Sequence, residues 1–394
     1  MDDEKKLEEN IWKFYLFRIF SGMMFSLPII VLFWQDNGLN LFQIMVLQSL
    51  FALAVVLLEI PTGYFADIFG RKKSLIISSI LYLLAIVFYS LGSNFFQFLI
   101  AEIFFSFSMS FMSGADSAFI YDTLKGLGRE HLFKKIWGNI LFYSLIAMSF
   151  ASIVGGFIGG IDLRMTFYAT IPFFLIATFF TFSLVEPERR KTIIKQEYLK
   201  QIFQIIKFSL IDNKRLKWLM IYSAIVISFN QTSLWLYQPY FKLSGLDIFY
   251  FGFIFAGFNI VAALTSKYAH IFEEKLGEKY SLAMLFVLTS ISYLLMSNFV
   301  FLFSFSFAFL QQFVRGFSNV VIVDYINKLA PSEIRATVMS VEGMLSKLCY
   351  ALIIPFIGWF ADVYTLPQAF FILGITVFVL GGISMLFIHR LKLA

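Results

Sequence analysis

Arg18, Glu59 and Asp116 each interrupt a long apolar run, at 12–34, 41–66 and 96–123 respectively. An ionisable group deep in a bilayer costs roughly 2.5–3.5 kcal/mol on insertion scales, so such groups face water or one another. Counted at about 1.5 Å per helical residue from the polar end of each run, the three lie at a similar height, roughly 10 Å in from one surface. One cation among two carboxylates leaves a negative charge uncompensated, an arrangement suited to taking up and giving back a proton. The expected chemistry is a transportable proton shared by Glu59 and Asp116, with Arg18 governing its release. A static charged network is the alternative.

Polar stripes mark other helical faces. Glu102, Ser106, Ser113 and Asp116 recur at one-face spacing. Gln311, Gln312, Arg315, Ser318 and Asn319 form a second stripe, and Asn230, Gln231 and Thr232 a third. Periodicity shows only that each of these spans has one wet face; Glu102, Ser113, Asn230, Gln231, Gln311, Arg315, Asn319 and, on a further span, Glu342 are the candidates for a substrate cavity. Arg315 has two candidate roles: it meets an anionic or polar part of a small molecule, or it pairs with Glu342 to hold two spans together.

The elements that must carry these residues follow from composition. Of 394 residues, 59% are hydrophobic and 14% charged, against roughly 25% charged in a soluble domain. Mean hydropathy is +0.81. A soluble protein of this size could not hide so much apolar surface, which excludes a water-soluble enzyme and a disordered chain. At about 20 residues per span, the expectation is an all-α polytopic membrane protein of about twelve transmembrane helices. They fall at 12–34, 41–66, 74–93, 96–123, 134–160, 165–185, 216–241, 247–271, 280–298, 301–327, 336–362 and 367–389. The expected domains are 1–185, a cytoplasmic linker at 186–215, and 216–394. The linker carries Arg189, Arg190, Lys191, Lys195 and Lys200, and its apolar Ile202, Ile205, Ile206 and Leu210 allow an amphipathic surface helix; a charged linker with some helix serves equally.

Lys and Arg crowd the even-numbered connections, while the odd-numbered ones hold only Arg164 and Lys242. Both termini are therefore expected in the cytoplasm of a multi-pass plasma membrane, the cytoplasmic membrane of a bacterium. The acidic first ten residues lack a basic leader region, so no signal peptide is expected. The net charge of +6 belongs to cytoplasmic loops rather than to a nucleic-acid surface. Cys349 is the single cysteine, and His131, His270 and His389 are scattered. No phosphate loop, zinc motif or nucleophile elbow appears. No cofactor, no metal site and no enzymatic activity are expected; the partners are a small-molecule substrate, protons and membrane lipids, and the chain is expected to be a monomer.

The chain repeats itself. Gly38-Leu39-Asn40-Leu41-Phe42 matches Gly245-Leu246-Asp247-Ile248-Phe249, and Asp67, Gly70, Lys72 and Ser74 match Glu274, Gly277, Lys279 and Ser281 at the same offset. Asp122 matches Asp324, and Asp162 matches Asp362, at nearby offsets. Two like-oriented six-helix halves are a transporter architecture. The stretch Gly63-Tyr64-Phe65-Ala66-Asp67-Ile68-Phe69-Gly70-Arg71-Lys72 resembles the signature of the major facilitator superfamily, Gly-x-x-x-Asp-(Arg/Lys)-x-Gly-(Arg/Lys)-(Arg/Lys), with Ile68 where a basic residue is usual. The resemblance spans the whole chain in span count, duplication and orientation. It implies two pseudo-symmetric six-helix bundles and spans one, four, seven and ten around a central cavity. It also implies a cytoplasmic gate motif of Gly63, Asp67, Gly70, Arg71 and Lys72, with Arg71 bonded to Asp122. Ala151, Gly155, Gly156, Gly159 and Gly160 resemble the glycine-rich motif of proton-coupled antiporters, with Ala151 and Gly156 departing from it; small-residue helix packing explains Gly155, Gly156, Gly159 and Gly160 equally.

The expected function is secondary active transport by alternating access, as proton-coupled efflux of a drug-like or hydrophobic metabolite. The alternatives are a proton-coupled importer, an exporter of a specific metabolite, siderophore or lipid, and a receptor of this fold that no longer transports. The 53 phenylalanines suit a greasy cargo, and equally a lipid-facing surface.

Overall fold

The computed structural model describes residues 2–188, 204–332 and 334–393. No strand occurs among them. The α-helices are α1 (Asp2–Ser21), α2 (Ile30–Asp36), α3 (Leu41–Phe69), α4 (Arg71–Leu91), α5 (Phe95–Ser113), α6 (Asp116–Gly126), α7 (Phe133–Ile161) and α8 (Met165–Ser183). They continue with α9 (Lys214–Leu243), α10 (Phe251–Asn298), α11 (Ala308–Leu329), α12 (Arg335–Val363) and α13 (Leu366–Leu393). Among the described residues, nine helical segments are long and apolar enough to cross a membrane. One of them, Ile248–Asn298, takes in two expected spans and is interrupted at Gly277 (φ 70°). The expected first and tenth spans are not among the nine. The first is broken at residues 22–29, and the second carries its polar stripe.

Those breaks have local causes. α1 stops at Ser21, and the carbonyl of Phe25 in the following turn lies against α7: a Cβ on Gly155 would stand 1.9 Å from it. The expected fourth span splits into α5 and α6 at Gly114, which packs onto Gly63 of α3, with Gly63 Cα 3.4 Å from where a Cβ would be. Glu102 and Asp116 therefore do not share one continuous helical face.

The chain divides into two compact units. The first comprises Met1–Leu39, Leu50–Ile193 and Asp247–Ala256, the second Asn40–Ser49, Ile194–Leu246 and Gly257–Ala394. This departs from the expected division, because each unit holds a ten-residue segment from the other end of the chain. In the second unit the Asp362 carboxylate accepts the Leu41 and Phe42 N–H groups at 3.0 and 2.7 Å and so caps α3. Ser49 also donates to the Ala351 carbonyl at 2.6 Å. In the first unit Gly252 approaches α7 so closely that a Cβ there would stand 2.1 Å from the Ser152 carbonyl. The core of the first unit is built from Phe14, Phe17, Leu75, Phe119, Ile120 and their neighbours, and that of the second from Leu216, Tyr222, Leu285, Phe317 and Ile326 among others.

The repeat is visible in the backbone. Gly38 and Gly245 both have positive φ (85° and 79°), as do Gly70 and Gly277 (118° and 70°), a region that disfavours side chains. Asn40 and Asp247 occupy matching positions and do matching work: their side chains accept N–H bonds from Gln43 and Phe249, each at 2.9 Å. Asp162 and Asp362 do not match in this way, since Asp162 caps α8 through Arg164 and Met165 at 2.7 and 3.1 Å. Of the linker, residues 189–203 lie outside the described residues.

Candidate functional site

α9 and α11 of the second unit line a half-open cavity of about 240 Å³. Asn230, Ser233, Leu234 and Tyr237 recur at helical spacing on α9; Gln312, Arg315 and Asn319 do so on α11. Ile227 and Gln231 complete the wall. Of the eight expected cavity residues, Asn230, Gln231, Arg315 and Asn319 are here. Gln311 stands behind them, fully buried, accepting from Asn230 Nδ2 at 2.8 Å through its carbonyl. Ser233 and Tyr237 were not singled out from the sequence, although each follows Asn230 by whole helical turns on an apolar helix.

The polar atoms here are partly committed. Ser233 Oγ lies 2.6 Å from the Asn230 carbonyl and 2.7 Å from the Tyr237 hydroxyl. Gln312 Nε2 donates to that hydroxyl at 3.2 Å, while Gln312 Oε1 is buried with no hydrogen-bond partner. Arg315 donates through Nη2 to Asn259 Oδ1 at 3.1 Å and reaches the Phe258 carbonyl at 3.5 Å, both on α10. Asn259 was not anticipated.

The expected Arg315–Glu342 pair does not form. Glu342 is 7% exposed and accepts from Ser223 and Ser346 at 2.6 and 2.8 Å, which ties α12 to α9. Two other expected cavity residues are also elsewhere. Glu102 is 4% exposed and accepts from the Tyr89 hydroxyl at 2.5 Å, between α5 and α4. Ser113 is exposed at the end of α5, with its hydroxyl turned to the Ser110 carbonyl. Glu102 and Ser113 both precede Gly114 on α5, so what separates them is what each meets: Glu102 packs against Tyr89 of α4, while Ser113 lies exposed at the helix end.

In the first unit, Arg18 Nη1 stands 3.8 Å from Asp116 Oδ2, with both side chains largely buried. Arg18 Nη1 also meets the Met112 sulfur at 3.3 Å, and its Nε is buried without a partner. Asp116 opens α6 and accepts from the Ser117 N–H at 2.6 Å. Glu59 is half-buried on α3, the helix whose Gly63 receives Gly114. At 3.8 Å the ion pair is longer than a charge-assisted hydrogen bond, which spans about 2.7–2.9 Å. Little geometry has to be undone for it to open.

The loop between α3 and α4 is anchored from two sides. Arg71 Nη1 is 2.5 Å from Asp122 Oδ2 and also donates to the Ala118 carbonyl. The backbone N–H groups of Arg71 and Lys72 donate to the two carboxylate oxygens of Glu186, each at 2.8 Å. Glu186 thus occupies the N-terminus of α4, where the helix dipole favours an anion. Asp67 of the expected gate motif is exposed. Gly70 lies directly on Glu186: a Cβ there would be 2.8 Å from Oε2. From the sequence Glu186 reads only as a polar residue of the 186–215 linker, because it sits more than a hundred residues from the loop it anchors, at a span end where one acidic residue looks like any other.

On α7, a Cβ on Gly156 would stand 2.9 Å from the Gly252 nitrogen and one on Gly159 3.1 Å from Ile29, whereas Gly160 has nothing within 4 Å. With Gly155 against Phe25, close helix approach supplies a physical reason for three of the four glycines. Among the described residues no His, Cys, Asp and Glu side chains gather in a way that would hold a metal ion.

The sequence profile of the Major Facilitator Superfamily matches residues 14–264 and 220–392. An uncharacterized MFS-type transporter of Methanocaldococcus jannaschii is 24% identical over 305 residues, 75% of this chain and 77% of that one. The uncharacterized MFS-type transporter YxaM of Bacillus subtilis is 24% identical over 348 residues, 84% of each chain. Among solved structures, a mutant of the nucleoside transporter NupG superposes with a TM-score of 0.82 at 17% identity, over 98% of this chain and 99% of that one. A bacterial homolog of the human lysosomal transporter Spinster, inward-facing and unoccupied, gives 0.74 at 14% identity over 97% and 96%.

Proposed function

We propose, since this chain belongs to the Major Facilitator Superfamily, that it moves a small molecule across the membrane by alternating access, driven by protons. Membership makes it an all-α membrane transporter and not an enzyme. The carried molecule and the driving ion are the proposal. One observation carries it: the cavity of about 240 Å³ whose wall includes Asn230, Gln231, Gln312, Arg315 and Asn319, within two helices of a membrane protein. A static bundle would fill that space with apolar side chains, because buried polar groups are costly unless bonded. Many transporters place their cargo sites near the bilayer midplane, between helices.

Proton coupling is assigned to Asp116 and Glu59, with Arg18 as the counter-charge. Protonating Asp116 removes the attraction that holds Arg18, and the 3.8 Å separation leaves only a modest barrier to their parting. The Arg71–Asp122–Glu186 cluster is proposed as the latch of the cytoplasmic gate. Efflux is the proposed direction, from the antiporter resemblance of residues 151–160. The wall of the cavity favours a polar cargo over a greasy drug-like one.

The test is flux in inside-out vesicles with an acid interior, using a panel of nucleosides, short peptides, organic acids and dyes. Accumulation of a panel member that collapses with a protonophore is the expected result. Accumulation only when the gradient is reversed assigns import instead. Proton-independent flux that persists in Asp116→Asn and Glu59→Gln overturns the coupling.

A further inference from the structure

We infer that the cavity of the second unit takes a small organic carboxylate that also carries an O–H or N–H donor. This rests on the proposed transport reading and narrows it to a class of cargo.

Arg315 is the first reason. A guanidinium presents five N–H donors in a fixed fork, and here only Nη2 meets protein acceptors, Asn259 Oδ1 and the Phe258 carbonyl. Among the described residues no carboxylate lies within ion-pair distance of it. Glu342 is already engaged by Ser223 and Ser346. A cation placed at membrane depth without a counter-charge is costly, and Arg315 lines the cavity. The matching ligand group is a planar anion able to accept two parallel N–H bonds, which describes a carboxylate. No Lys or His joins Arg315 in the wall, so one positive charge calls for one negative charge, and a phosphate dianion would be left half-compensated.

Gln312 is the second reason. Its side chain is 4% exposed, its Nε2 is held by Tyr237, and its Oε1 has no partner. It stands three residues from Arg315 on the same face of α11 and lines the same space. A buried acceptor left unmade costs about 1–3 kcal/mol, and a turn of the Gln312 amide toward the cavity would bring it to a ligand O–H or N–H. The volume sets the size: at about 240 Å³ the cavity is below the roughly 300–1,000 Å³ usual for ligand pockets, which limits the cargo to a small molecule.

The competing explanation is that Arg315 only tethers α11 to α10 through Asn259. The two are separated by measuring binding to the purified full-length protein, by thermal shift and calorimetry, with two ligand series. One is para-hydroxybenzoate, para-hydroxybenzamide and benzoate; the other is lactate, lactamide and propionate. In at least one series the acid should bind about tenfold or more tightly than its neutral amide, as expected of a hydrogen-bonded charge, and should weaken when its hydroxyl is removed. Arg315→Gln should erase the difference between acid and amide while Arg315→Lys keeps part of it. Gln312→Leu should erase the hydroxyl preference and leave the acid preference intact. Equal binding of acid and amide, no binding in either series, or an acid preference that survives Arg315→Gln overturns the inference. Should Arg315→Gln not yield monodisperse protein, the wild-type comparison and Arg315→Lys decide. Binding is read without flux. A neutral amide that the wild type carries and binds as well as the acid would overturn the carboxylate class while transport stands. Tight acid binding with no flux of any panel member would keep the class and overturn transport.

Discussion

Side chains with similar sequence signatures hold very different positions in this molecule. Glu102, Asp116 and Glu342 all read as ionisable groups inside apolar helices. Glu102 is bonded to a tyrosine hydroxyl and Glu342 to two serines; Asp116 faces a cation at 3.8 Å. A carboxylate satisfied by neutral hydroxyls has a mainly structural task, whereas one held against a loosely paired arginine is suited to change its charge. Asp116→Asn should therefore abolish accumulation driven by a pH gradient while leaving counterflow of unlabelled against labelled substrate, which needs no net proton movement. Glu102→Gln keeps a hydrogen-bond acceptor for Tyr89 and should retain gradient-driven accumulation. Loss of both activities in Asp116→Asn would show a structural role instead.

Helix contacts explain why small residues and distant acids matter. Gly155→Ala would drive a methyl group into the Phe25 carbonyl at 1.9 Å, and Gly160→Ala meets nothing within 4 Å. The first should lower stability by about 1–3 kcal/mol, the usual range for overpacking, and the second should leave it unchanged. Thermal unfolding in detergent, followed by light scattering or intrinsic fluorescence, gives the comparison directly. Glu186→Ala strips the acceptor from the first two N–H groups of α4 and should cost roughly 1–2 kcal/mol, as loss of an N-terminal cap does. Glu188→Ala, on an exposed neighbour, is the control and should have no effect. Equal stability of the two variants would remove Glu186 from the anchoring of this loop.

For the whole molecule, the distribution of Lys and Arg makes a prediction about sidedness. With Cys349→Ser as background, a cysteine at exposed Ser93 should react with an impermeant maleimide added to intact cells. One at exposed His131 should react only after the membrane is opened. The reverse pattern would invert the proposed orientation and, with it, the side on which Arg71 and Asp122 act. The matched positive-φ glycines, Gly38 with Gly245 and Gly70 with Gly277, show that the duplication reaches backbone conformation. The duplicated chemistry has diverged: Arg71 bridges to Asp122, while Glu278, at the matching place in the second half, bonds Arg215 instead.

Membrane class, helical content and duplication were legible in the linear order of residues, because apolar run length, charge bias and spacing are local or periodic properties. The lining of α9 and α11 was half legible for the same reason: Asn230, Arg315 and Asn319 each mark a face by helical period. Glu102 and Glu342 left the cavity for reasons that period cannot carry. A stripe tells which residues share a face, but not which neighbour that face meets: Glu102 meets Tyr89 of α4 rather than a cavity. Glu186 on the start of α4 and Asp362 on the start of α3 are contacts across long stretches of chain. Close packing of helices at bare glycines sets them, and no short-range pattern records it.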